Sequence, residues 1–309
     1  MSTCFPDPAN GLSPDRKVLA FGEVLWDLLP DGALLGGAPA NCAFRLQNLG
    51  IRTSLISRVG TDESGSRALD MLTRSGLDCS FVQRDDVHPT GSAGVQLSAG
   101  GSPNFVITRD AAYDFIVPAA WCEADLPQGS LVIFGTLCQR SSLSRDTLYR
   151  LLSRASRATK LLDVNLRKDC YTQDIIERSL RAADILKLNE DEVVLLGQMF
   201  GIESASLSQF CNQLISRFDL KTCLVTRGEA GVFALNSSGQ EVALPGVRVQ
   251  VADTIGAGDA FTAGFASRLL AGDSLLESCR FGNALGALAA SKNGGMAAIT
   301  TAEIAELIG

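Results

Sequence analysis

The sequence predicts a three-layer α/β domain with a mostly parallel central sheet and a small β-sheet lid, and three observations carry that expectation. Short apolar runs alternate with helix-patterned segments along most of the chain, one stretch breaks the rhythm with strands alone, and glycine-rich turns open two of the helices. A length of 309 residues suits one large α/β domain with a small appendage better than two equal domains. Hydrophobic residues at 46% and charged residues at 20% are the balance of a chain that buries a sizeable core.

Residues 1–16, rich in Pro, Asn, Asp and Ser, read as a flexible leader, and residues 17–309 as the folded domain. The domain opens with the apolar run VLAFGEVLWDLL, followed by a helix in ANCAFRLQNLG, a strand in TSLISRVG and an amphipathic helix in SGSRALDMLTRSG. That alternation is the signature of a parallel sheet covered on both faces. Between Pro89 and Pro118 the pattern is two or more strands around Ala99-Gly100-Gly101-Ser102, which fits a hairpin. Together with about 23–36, the segment 89–118 is expected to form the lid. The alternation resumes with SLVIFGTL, DTLYRLLSRA, TKLLDVNL, IIERSLRAA and DILKLNEDEVVLLG, then SQFCNQLISRF, KTCLVTRG and GVFALNSSG. Three helices close the chain, near AFTAGFASRLLAG, SLLESCRFGNALGALAASKN and AEIAELIG.

Composition removes several classes of function. A net charge of -7 argues against holding nucleic acid through a basic surface, although a small anion can still be held by backbone dipoles. Nine cysteines, scattered without a C-x-x-C pair, read as reduced thiols, and no secretory signal or bilayer-length apolar run is present, so a cytoplasmic protein is expected with no membrane partner. His88 is the single histidine, which leaves no room for a multi-histidine metal site. Placed before Pro89-Thr90-Gly91, it reads as a hinge or hydrogen-bonding residue rather than a catalyst.

The strongest local signal is Asp253-Thr254-Ile255-Gly256-Ala257-Gly258-Asp259, running into a helix. Glycines at a helix start let N–H groups converge on an oxyanion, and a first-turn carboxylate can accept a hydroxyl proton. Phosphoryl transfer needs both. A loop closed by a capping carboxylate is the plain alternative. The second signal is Gly36-Gly37-Ala38-Pro39-Ala40-Asn41, where glycines admit a polyhydroxylated ligand and Asn41 offers a donor and an acceptor.

Gly36-Gly37-Ala38-Pro39-Ala40-Asn41-Cys42-Ala43 with Gly50 and Gly60, and Asp253 to Asp259 with Ala263-Gly264-Phe265-Ala266, resemble the two signatures of the PfkB (ribokinase-like) carbohydrate kinases. The pieces GEVLWDLLPDG, HPTG, FGTL, DVNLR and LKLNEDE are similar to the bacterial fructokinases of that family. The resemblance implies a ribokinase-like fold and ATP-dependent phosphorylation of a sugar primary hydroxyl, most closely that of D-fructose. It implies that Asp259 is the base, that the N–H groups of Ala257, Gly258 and Asp259 form the anion hole, and that Gly256 belongs to the same catalytic segment. Asp27, Gly36, Gly37, Asn41, Asn165 and Arg167 would bind the sugar. Lys187, Asn189, Glu192, Thr226, Gly228, Gly231 and Asn283 would serve the nucleotide, with Glu192 placing Mg²⁺ through water. Asp253 and the Ile255 carbonyl would hold a potassium ion, and a homodimer paired through the lids is the expected assembly. The same chemistry on 2-keto-3-deoxygluconate, ribose or a nucleoside is an alternative, and so is a non-catalytic sensor on the same fold.

Three places depart from the family pattern, the first being a leader before Lys17 longer than usual. No lid contact to the sugar can be assigned between Phe105 and Arg109, and Gly294-Gly295-Met296-Ala297 lacks the proline common after the methionine in related fructokinases.

Overall fold

Apolar runs too short for helices and rich in Val, Ile and Leu pair into a sheet buried on both faces. The computed structural model describes residues 16–30, 32–97, 103–122 and 126–308. The leader before Arg16 and the turn at Ala99-Gly100-Gly101-Ser102 lie outside those residues. In chain order come β1 (Val18–Phe21), the hairpin β2 (Leu25–Leu29) and β3 (Gly32–Gly36), α1 (Ala38–Asn48), β4 (Thr53–Gly60), α2 (Glu63–Arg74) and β5 (Val82–Asp85). A second pair, β6 (Gly91–Leu97) and β7 (Pro103–Ile107), is followed by β8 (Leu131–Phe134), α3 (Ser142–Arg154), β9 (Thr159–Asp163), α4 (Gln173–Ala182) and β10 (Ile185–Asn189). The last third holds α5 (Glu190–Phe200), α6 (Leu207–Phe218), β11 (Thr222–Thr226), β12 (Val232–Asn236), β13 (Glu241–Leu244), α7 (Ala257–Ala271), α8 (Leu275–Ala290) and α9 (Thr301–Ile308).

The large sheet has the order β13-β12-β11-β10-β9-β8-β1-β4-β5, parallel except where β12 and β13 turn back antiparallel at one edge. One core layer packs α3, α4 and α6 against one face, and a second packs α1, α7 and α8 against the other. The lid sheet has the order β3-β2-β6-β7 and comes from the two segments expected to supply it. Residues beyond β7 return to the main domain as a 3-10 turn at Ala112–Phe115.

Polar side-chain contacts root the lid. Asp62 caps α2 at Gly65 and also accepts from the backbone N–H and hydroxyl of Thr90, just before β6. His88 stacks on Phe115, and its Nδ1 lies 3.1 Å from an Asp85 carboxylate oxygen, so it is a hydrogen-bonding residue. Beyond β7, the Arg140 guanidinium forks onto Asp114 at 2.7 and 2.9 Å and also donates to the Thr108 carbonyl and the Tyr113 hydroxyl. Trp26 is core rather than a sugar platform, with its indole N–H on the Ser64 carbonyl and the Arg67 guanidinium over its ring.

Breaking a buried ion pair from one side costs about 3–5 kcal/mol, because the other charge stays buried. Arg140→Met is therefore expected to lower the unfolding free energy by about 3 kcal/mol in urea titration, a loss that the double variant with Asp114→Leu recovers.

Candidate active site

The site forms where the C-terminal ends of β9, β10 and β11 meet the starts of α1 and α7 under the lid. Gly256 caps α7 with φ 76, and its Cα faces Gly295 so closely that a Cβ would stand 2.4 Å from the Gly295 Cα. Only glycine fits there. The N–H groups of Gly258 and Asp259 fall in the first turn, where a helix has no carbonyl one turn earlier to receive them. That of Ala257 donates to the Thr254 carbonyl at 3.3 Å, so Gly258 and Asp259 supply the freer donors.

Asp259 accepts a hydrogen bond from the Asn41 amide at 2.8 Å. Burial, reinforced by the nearby carboxylate of Asp163, pushes Asp259 up to about 6, against the pull of Asn41, Lys187 and Arg167. A carboxylate so tuned is a base near neutral pH. Beneath it the Lys187 ammonium lies 3.1 Å from one oxygen of Asp163, whose other oxygen accepts from the Thr262 hydroxyl of α7 at 2.8 Å. Burial alone would lower the Lys187 ammonium, but the charges of Asp163, Glu192 and Asp259 outweigh it and hold it above its ordinary value. A Cβ on Gly258 would reach 3.0 Å from that ammonium, which places the cation close beneath the first turn of α7.

Two cavities meet at this point. One, of about 470 Å³, is lined by Asp27, Gly37, Asn41, Asn165, Arg167 and Asp259 among others. The other, of about 360 Å³, has an apolar wall of Val247, Val249, Val251 and Phe261 and takes in Gly228, Gly231 and Asn283. Thr226, Thr254 and Gly258 line both. Gly36 is the exception among the expected sugar residues, because the space a side chain would fill is taken by the Asp27 carboxylate 2.3 Å away. Asn165 holds φ 41, a left-handed conformation that asparagine tolerates and that often marks functional loops.

A family model described as pfkB family carbohydrate kinase matches residues 33–302. The chain belongs to the pfkB family of carbohydrate kinases. It is 32% identical to a fructokinase of Klebsiella pneumoniae over 92% of this chain and 96% of that one. The fructokinase of Vibrio cholerae O395, solved with fructose, ADP and calcium, is 26% identical with a TM-score of 0.82, covering 96% of this chain and 99% of that one. The aminoimidazole riboside kinase of Salmonella enterica shares the fold with a TM-score of 0.80 at 24% identity, over 95% and 100% of the two chains.

Several residues of this carbohydrate kinase also make contacts within the protein that the sequence does not reveal. Asn41, expected on the sugar, spends its amide donor on the base. Glu192, expected to place Mg²⁺, is buried, with one oxygen accepting from Leu166 N–H and the other from Asn189 N–H, both at 2.8 Å. With the Asn189 side chain on Glu192 N–H it forms a capping box at the start of α5. Asn283 lines the apolar cavity while its amide donates to the Pro245 carbonyl. Asp253 accepts from Ile255 N–H at 2.9 Å and from Gly294 N–H at 3.1 Å, bracing the turn beside the anion hole. Arg109 donates to the Asp169 carbonyl, leaving Arg167 as the guanidinium in the sugar-side cavity.

Glu23 and Asp163 went unassigned in the sequence. Burial pushes Glu23 up to about 7; one of its oxygens accepts from Ala38 N–H at 3.3 Å and caps α1, whose N-cap Gly37 has no side chain to do so. Its signal was the acid opening GEVLWD, four residues before Asp27.

A hydrogen bond to a charged group contributes about 1.5–3 kcal/mol. Asn41→Ala should therefore raise the pKa of Asp259 above that of the wild type and lower turnover at pH 6 by about 10–100-fold, read from the acid limb of the pH–rate profile.

Proposed function

We propose that this kinase transfers the γ-phosphoryl of MgATP to the primary hydroxyl of D-fructose, giving fructose 6-phosphate and ADP. The observation that carries the reading is the meeting of the two cavities at Thr226, Thr254 and Gly258, with Asp259 on the sugar side of the junction. Nucleotide in the apolar cavity directs its phosphates toward the α7 N-terminus, where the N–H groups of Gly258 and Asp259 and the Lys187 ammonium attract negative charge. Sugar in the other cavity presents a hydroxyl to Asp259, which takes its proton as the phosphoryl moves.

The sugar-side cavity suits a neutral polyol. It carries the acids Glu23, Asp27 and Asp259 together with the cations of Arg167 and Lys187. Asp27 is itself held above the ordinary carboxylate range by burial. Polyol hydroxyls can donate to each of the three acids. The fructokinase relatives agree with fructose as the acceptor.

Mg²⁺ would enter with the nucleotide. Among the described residues no three His, Cys, Asp or Glu side chains gather as a metal site, and Mg²⁺ keeps several waters when it bridges phosphates. It would neutralise charge on the transferring group. Potassium would sit beside the Asp253 turn, where the carboxylate keeps lone pairs beyond the two N–H groups it serves. The lid strand β2 exposes Leu28 and Leu29, a surface suited to pairing with a second lid in a homodimer. Eight described cysteines are free thiols, in keeping with a cytoplasmic setting, and among the described residues no helix is long and apolar enough to cross a membrane.

An ADP-release assay with MgATP and a panel of fructose, ribose, 2-keto-3-deoxygluconate and nucleosides tests the proposal. Fructose should lead, with activity falling below about pH 6 as the base protonates. Asp259→Asn should lower turnover by about 10²–10⁴-fold while nucleotide binding persists; undiminished turnover would refute the assignment of the base, and a lead by another sugar would refute fructose alone.

A further inference from the structure

Where the sequence lacks the proline after Met296, a buried arginine holds the loop. Arg45 lies one turn after Asn41 on α1 and is 2% exposed. Its guanidinium donates to the Ala297 carbonyl at 2.5 Å and the Gly295 carbonyl at 3.0 Å, while Nε has no partner. No carboxylate forms an ion pair with it among the described residues. Burying an unpaired charge costs stability, and departures of that kind are expected where function requires them.

The loop that Arg45 grips touches the reacting groups at three points. Gly294 N–H donates to Asp253, the Gly295 Cα backs onto Gly256, and a Cβ on Gly295 would meet the Asn41 amide at 2.6 Å. Asn41 in turn holds Asp259. We infer that Arg45 is a positioning residue for phosphoryl transfer: by fixing the carbonyls of Gly295 and Ala297 it braces Gly256 and Asn41, and through them the anion hole and the base. The inference rests on the kinase reading above.

The charge of Arg45 acts on the same base. Burial lowers the guanidinium to about 10, and the Asp259 carboxylate opposes that shift. Asp259 also feels Asp163 and Lys187 from below, Arg167 and Glu23 across the cavity, and Cys42 on α1. Removing the Arg45 charge leaves Asp259 harder to ionise, so the acid limb of activity moves to higher pH.

Arg45→Met keeps the volume and removes the charge, and Arg45→Lys keeps the charge without the fork. For Arg45→Met we expect a melting temperature within about 4 °C of wild type, kcat lowered by about tenfold or more with the sugar KM little changed, and the acid limb moved up. Arg45→Lys should restore the acid limb but only part of kcat. Hydrogen exchange should quicken at residues 294–297 in Arg45→Met. Wild-type kcat and an unmoved acid limb in a folded Arg45→Met would overturn the proposal. If that variant does not fold, a folded Arg45→Lys with full kcat overturns it equally. If the wild type phosphorylates no sugar, the kinase reading has failed instead, and unaltered exchange at 294–297 would then show separately that Arg45 does not hold the loop.

Discussion

Two carboxylates and one ammonium share the floor of the site, and the rest of the structure serves to keep them there. Asp163 and Asp259 could not both stay ionised in a buried setting without a cation between them. The parallel sheet supplies it: β9 and β10 pair in a register that sets Lys187 directly beside Asp163 at their C-terminal ends. Thr262 then ties Asp163 to α7, so the helix that carries Asp259 is fastened to the strand whose acid pairs with Lys187. A one-residue slip of β10 would turn Lys187 to the other face of the sheet and leave the two acids unneutralised. Sheet register here is thus an electrostatic requirement as well as a packing one.

The lid adds a second constraint of the opposite kind. Its strands bring Asp27 and the apolar residues around it over a cavity that already holds Asp259 and Glu23, so covering the sugar also concentrates negative charge. The lid's roots are held by polar contacts, Asp62 with Thr90 on one side and Arg140 with Asp114 on the other. Both roots lie outside the cavity. The polar contacts gather where the lid leaves the domain, whereas the second carboxylate oxygen of Glu23, a residue lining the cavity, has no partner.

Features that depend on local backbone geometry were legible in the sequence. Gly37 at φ 107 and Gly256 at φ 76 occupy conformations and contacts that only glycine permits, so the motifs containing them located the two halves of the site. The alternation of strands and helices likewise gave the sheet and the break that becomes the lid. What stayed hidden depends on contacts between residues distant in sequence. Arg45 sits in a helix pattern where an arginine ordinarily points to solvent, and only the return of the chain 250 residues later buries it. Glu23 reads as part of an apolar run until α1 brings an uncapped N-terminus to it.

Glu192 shows why a motif match alone underdetermines a role. Asn189-Glu190-Asp191-Glu192 fits a cation-placing element of the family and equally a capping box, since both need a carboxylate three residues after a short polar side chain. The two readings differ in what the carboxylate oxygens touch, which no spacing encodes. Here both oxygens accept backbone N–H groups, one from its own helix start and one from Leu166 after β9. The contact to Leu166 fastens the segment carrying Asn165 and Arg167 to the start of α5. Glu192 therefore shapes the loop that delivers Arg167 to the cavity, although Glu192 itself does not line that cavity.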